Sequence, residues 1–299
     1  MADQAQRLRQ WIREKSLKAQ ETVLEERAQG SRVVAVTSGK GGVGKSQLTL
    51  NLALALAQRG QRVVILDADL GLANINILMG YEPSFTLWDV VQGAATLTDV
   101  MQKGPLGIRI IPGASGISAL ASLDPVEISG IIEGFQELES ECDWLLVDTG
   151  AGIAANVLAF VLAADEALVV SNPEPPALAD AYGLIKAVWE AKGHVALKLV
   201  MNRSTTAQSG EEMAMRIVTL AMKVLDQKVE FMGTVHEDPH AKRAISRQEP
   251  LLLLYPASPA ATDIGHLADR LIHRIQPPKR GRFGQFVARM TALWPTLPS

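Results

Sequence analysis

Gly39-Lys40-Gly41-Gly42-Val43-Gly44-Lys45-Ser46 is the stretch from which the rest of the chain is read. It fits the spacing GxxxxGK[ST], follows the β-branched run Arg32–Val36 and precedes the long amphipathic segment Lys45–Gln58. In a strand–loop–helix setting, glycines let consecutive backbone N–H groups converge on phosphate oxygens, and the helix N-terminus adds its positive dipole end. The spacing assigns Gly39, Gly41, Gly42, Val43, Gly44, Lys45, Ser46 and Gln47 to nucleotide binding. Lys45 is expected along the β- and γ-phosphates and the Ser46 hydroxyl on Mg²⁺.

Outward from this loop, apolar runs alternate with amphipathic ones. Further strands are expected at Arg62–Leu66, Ile108–Ile111, Trp144–Val147, Ala167–Val170, Ala196–Met201 and Lys228–Met232. Helices are expected near Pro125–Glu139, Ala155–Ala163, Ala177–Ala191, Glu211–Leu225, Pro239–Arg247 and Ala260–Ile275. Near-continuously apolar strands separated by helices predict an α/β P-loop NTPase fold, a mostly parallel twisted sheet with helices on both faces. The Gly- and Pro-free segment before Gly30 reads as an added N-terminal helix, and Pro277-Pro278 sets off a C-terminal one. Three units follow: 1–30, an NTPase domain over 31–276, and 277–299.

Composition narrows the function. The chain has 299 residues, 47% of them hydrophobic, enough for one large α/β domain. A single cysteine, Cys142, excludes a disulfide framework and CxxC metal sites. No signal-peptide pattern or membrane-spanning run is visible, so a cytoplasmic location is expected. The net charge of −3 is unevenly spread: residues 1–30 carry +1 and residues 277–299 carry +4, which leaves −8 on the body. So acidic a body argues against a broad nucleic-acid surface.

Lys40, directly before Gly41-Gly42, gives the pattern KGGxGK[ST], which resembles the deviant Walker A loop of the MinD/ParA ATPase superfamily. The resemblance implies an ATP-dependent homodimer in which Lys40 reaches the partner's nucleotide, where a cation would stabilise charge on the transferred phosphoryl group. Asp67, Asp69, Gly71, Asn74 and Gly80 match the pattern DxDxGxxNxxxxxG. By resemblance Asp69 positions the attacking water, Asp67 lies near Mg²⁺, and Asp148 in Asp148-Thr149-Gly150 holds Mg²⁺ through water. A relative of the MinD type has proline where this chain has Gly150. Asn202 is the implied adenine contact, because Asn202-Arg203-Ser204-Thr205 lacks the aspartate of a guanine-reading NKxD loop. His236-Glu237-Asp238 stands where relatives have Pro-Glu-Asp near the base, and Glu174 is implied at the dimer face.

The two ends are more specific. Phe283, Phe286, Val287, Met290, Leu293 and Trp294 form one apolar stripe at helical spacing, with Arg282 and Arg289 nearby. A twelve-residue helix of about 18 Å is marginal alone, so the stripe needs a surface. The favoured surface is an anionic membrane, where each basic residue contributes about 1 kcal/mol; the alternative is the protein's own body. Asp3, Gln4, Ala5, Leu8 and Arg9 fall in a segment that resembles the DQAxxLR motif of the FlhG (FleN/YlxH) regulators of flagellar number and placement. That resemblance implies stimulation of the SRP-type GTPase FlhF, contact with flagellar C-ring proteins, and cycling between cytoplasm and the inner membrane face. It also implies slow, regulatory ATP hydrolysis.

Four alternatives are weighed against this reading. A DNA-segregation ATPase needs a basic body, an iron–sulfur relative needs more cysteines, a tyrosine kinase of the superfamily needs a Tyr-rich tail whereas the tyrosines are Tyr81, Tyr182 and Tyr255, and an ATP-sensing scaffold would differ mainly in negligible turnover.

Overall fold

The computed structural model describes residues 31–69, 74–113, 125–273 and 281–293. Asp3, Gln4, Ala5, Leu8, Arg9, Gly71 and Trp294, for which roles were expected, lie outside them. Eight strands form one sheet: β1 (Arg32–Ser38), β2 (Val63–Ala68), β3 (Gln102–Lys103), β4 (Arg109–Ile111), β5 (Trp144–Ala151), β6 (Glu166–Ser171), β7 (Ala196–Ser204) and β8 (Val229–His236). Their order is β3-β4-β2-β5-β1-β6-β7-β8, parallel throughout except for the β3–β4 pair at one edge.

The sheet is covered on both sides, as near-continuous apolar strands require. Val34 and Val36 of β1 pack toward α1 (Lys45–Gln58), α10 (Leu251–Leu254) and α11 (Pro259–His273). Val33 and Ala35 point the other way, toward α5 (Pro125–Glu139), α6 (Ala155–Ala163), α7 (Pro175–Glu190) and α8 (Ala207–Leu225). Period-two alternation along β1 therefore divides the core into two layers. The short helices α2 (Asn74–Met79), α3 (Leu87–Val91), α4 (Leu97–Val100) and α10, and the edge strand β3, were not expected. Each is too short to show a helical or alternating period of its own. Among the described residues, α9 (Pro239–Arg247) keeps its expected bounds.

The C-terminal helix α12 (Arg282–Leu293) is docked on the body. Its stripe does not stand free for a lipid surface: Phe283, Phe286, Val287 and Met290 are all at most 2% exposed, and Leu293 is partly buried. They fill the trough between α5 and α6, where the Phe286 and Phe160 ring centroids are 6.1 Å apart. Burying four such side chains contributes about 6–12 kcal/mol, so the body supplies the surface that a marginal helix needs. Polar contacts fix the helix start. The Glu139 carboxylate accepts the backbone N–H groups of Arg282 (3.1 Å) and Phe283 (3.3 Å) and the Ser31 hydroxyl (2.7 Å). Arg282, expected at lipid headgroups, pairs instead with Asp165, which also accepts the Val33 N–H at 3.0 Å. Arg289 remains exposed.

Candidate nucleotide site

The loop between β1 and α1 is held from two sides. A Cβ on Gly39 would lie 2.1 Å from the Asp180 carbonyl oxygen of α7, so glycine is required by close backbone approach. Gly44, the residue before α1, has φ 91° and sits against the Asn202 side chain. Asn202 Nδ2 donates to the Val43 carbonyl at 2.7 Å, and Arg203 Nη1 donates to the Gly42 carbonyl at 2.9 Å. The end of β7 thus clasps the phosphate loop. Asn202 lines the cleft beside the loop, with one amide N–H committed to the loop and one remaining.

Below the loop, Lys45 Nζ donates to Asp148 Oδ1 at 2.9 Å, and the Thr49 hydroxyl donates to the same oxygen at 3.0 Å. Lys45 is also 3.4 Å from the Ser46 hydroxyl. Asp67 is buried beside them, accepting N–H groups from Asp69 (3.3 Å) and Ile75 (3.2 Å). Burial, and secondarily the negative charge of Asp148, push its carboxyl up to about 7. The Asp69 carboxylate accepts from Asn74 Nδ2 at 3.3 Å and lies next to Gly150. Strand pairing explains the convergence, since Asp67 of β2 is in register with Asp148 of β5.

Ser46, Asp67 and Asp148 present hard oxygens, and Asp148 Oδ2 is buried without a hydrogen-bond partner among the described residues. These features fit Mg²⁺, which takes a few protein oxygens and completes its shell with phosphates and water. Among the described residues no group of three His, Cys, Asp or Glu side chains could hold a metal ion unaided.

Lys40 and Glu174 meet at the surface, 3.3 Å apart with side chains 39% and 61% exposed. On the other side of the loop a cleft is lined by Gly44, Gln47, Asn202, His236 and Asp238. Gln47 Nε2 donates to the Ala241 carbonyl at 3.1 Å, which ties α1 to α9. His236 is held by Asp263 of α11, which accepts its backbone N–H at 2.9 Å and faces its Nδ1 at 2.6 Å.

Residues 34–251 match the CobQ/CobB/MinD/ParA nucleotide binding domain. The chain belongs to this family. The antiactivator FleN of Pseudomonas aeruginosa is 38% identical over 87% of this chain and 93% of its own. The flagellum site-determining protein YlxH of Helicobacter pylori is 30% identical over 82% of this chain and 83% of its own. Among solved structures, a chain of the MinC:MinD cell division protein complex of Aquifex aeolicus is 30% identical, covers 84% of this chain and 99% of its own, and has a TM-score of 0.65. MinD of Pyrococcus horikoshii, solved with Mg-ADP, is 26% identical with the same TM-score of 0.65, covering 81% of this chain and 96% of its own. The P-loop NTPase architecture expected from the octapeptide is therefore the family's own.

Some site residues carried no sequence signal. Thr49 lies one turn past Lys45 in an apolar helix, Asp263 sits 27 residues beyond His236, and Arg203 stands in a segment that the sequence marks only as a base-reading loop. Their roles depend on which strand ends the sheet order places side by side.

Proposed function

We propose that the protein is an ATP-hydrolysing, nucleotide-dependent dimerising switch that regulates flagellar number or placement. The observation that carries this reading is the buried Lys45–Asp148 pair at the foot of the phosphate loop. An incoming nucleotide offers Lys45 a triphosphate in place of Asp148, and a divalent cation would then compensate the Asp148 carboxylate. Mg²⁺ held by Ser46, with Asp67 and Asp148 nearby, would neutralise phosphate charge when bound. Asp69, beside Gly150, orients the attacking water; Lys45 binds and stabilises the phosphates, and Lys40 serves the partner's nucleotide. Likeness to YlxH, named for flagellum site determination, supports the flagellar role; FlhF stimulation by residues 1–30 and contact with flagellar C-ring proteins rest on the resemblance carried by the segment Asp3–Arg9.

Membrane cycling belongs to the same proposal, and the docked helix shapes it. Attachment at an anionic inner membrane face requires α12 to leave its trough. A short route joins the two events: β5 carries Asp148, ends at Ala151, and leads within three residues into α6, whose Phe160 packs on Phe286. A shift of the 148–154 segment on nucleotide binding therefore reaches the trough directly. ATP turnover tests the core of the reading: Asp69→Ala should lower the rate at least tenfold while ATP still binds. Equal, near-zero rates for wild type and variant would favour an ATP-sensing scaffold.

A further inference from the structure

The cleft beside the phosphate loop contains one ring whose orientation is set from outside it. One Asp263 carboxylate oxygen faces His236 Nδ1 at 2.6 Å and also accepts the His236 backbone N–H at 2.9 Å. A ring nitrogen facing a carboxylate must carry the proton, so in the neutral ring the second nitrogen, Nε2, is an acceptor. His236 is 32% exposed and lines the cleft together with Asn202 and with Gly44, the residue before Lys45. Two neighbouring acceptor groups, the Asp238 carboxylate and the Asn202 amide oxygen, are already engaged. Asp238 Oδ1 accepts the His240 N–H at 2.9 Å and Oδ2 the Ala260 N–H at 3.2 Å, while Asn202 Oδ1 accepts the Arg203 N–H at 3.0 Å.

We propose that His236, held as its Nδ1–H tautomer by Asp263, reads the base: its Nε2 accepts a hydrogen bond from the 6-amino group of adenine and disfavours 6-oxo purines. This deepens the nucleotide reading and rests on it. A 6-oxo purine turns an acceptor toward Nε2, so the hydrogen bond is lost and two lone pairs oppose each other. One such bond corresponds to about tenfold in affinity.

Equilibrium binding of Mg-ATP and Mg-ITP tests it, since hypoxanthine carries a carbonyl where adenine carries the amino group. Wild type should prefer ATP about tenfold or more. His236→Phe keeps a ring but removes the acceptor and should bring the two affinities within about twofold, with triphosphate binding retained through the loop. Asp263→Asn, which weakens the tautomer lock, should shift the ratio in the same direction and decides the matter if the phenylalanine variant does not fold. An ATP:ITP ratio near one in wild type, or one unchanged in the variants, overturns the base-reading role alone. If wild type binds neither nucleotide, the nucleotide reading falls with it.

Discussion

Lys45 Nζ and Asp148 Oδ1 lie 2.9 Å apart with side chains only 7% and 0% exposed, and this contact couples the phosphate loop to the end of β5. Removing one partner leaves the other charge buried and uncompensated, which costs about 3–5 kcal/mol. Lys45→Met should therefore lower stability by about that amount as well as abolish nucleotide binding. The double variant Lys45→Met/Asp148→Asn should recover most of the stability and none of the binding. Chemical denaturation of both single variants and the double gives the coupling; additive losses would show that the pair is not linked in the folded state.

Asp67 gives the fold a pH dependence of definite sign. Its folded carboxyl is raised from 3.8 to about 7, so between these values the folded state holds a proton that the unfolded chain has lost. Stability from this group is full below about pH 4 and is lost as pH rises to about 7, by at most about 4 kcal/mol. Asp67→Asn should flatten that slope and raise the melting temperature at pH 8. A slope unchanged in the variant would assign it to another group.

Gly39 and Gly41 should respond oppositely to one methyl group. A Cβ at Gly39 meets the Asp180 carbonyl, whereas one at Gly41 meets nothing within 4 Å. Gly39→Ala must displace α7 or the loop and should cost about 1–3 kcal/mol, while Gly41→Ala should unfold at nearly the wild-type temperature. Paired thermal melts read this contrast directly.

A reversible tether tests the release of α12. A Cβ on Gly284 would lie 2.8 Å from the Gln136 side chain of α5, so Gly284→Cys/Gln136→Cys brings two thiols into reach. Oxidised protein should bind ATP but not anionic vesicles, and reductant should restore vesicle binding. Vesicle binding by the oxidised form would place the membrane contact elsewhere. Cys142 does not compete, because it is buried and its thiol is pushed up to about 12.

A peptide of residues 1–25 should accelerate GTP hydrolysis by FlhF, measured as phosphate release. No acceleration would remove the activator role of the N-terminus and leave the nucleotide switch intact.

The sequence by itself determined the phosphate loop, the seven longer strands and the longer helices between them. Those features depend on local spacing: glycines at fixed offsets, and apolar residues at periods of two and 3.6. It also showed that Phe283, Phe286, Val287 and Met290 form one face needing an apolar surface, because helical spacing alone aligns them. Which surface meets that need was decided by the tertiary structure, since the trough between α5 and α6 is built from residues more than a hundred positions earlier. The same holds for Asp263 behind His236 and for Thr49 beside Asp148. Such contacts are created by sheet order and register, and those arise only when distant segments bury their faces against one another.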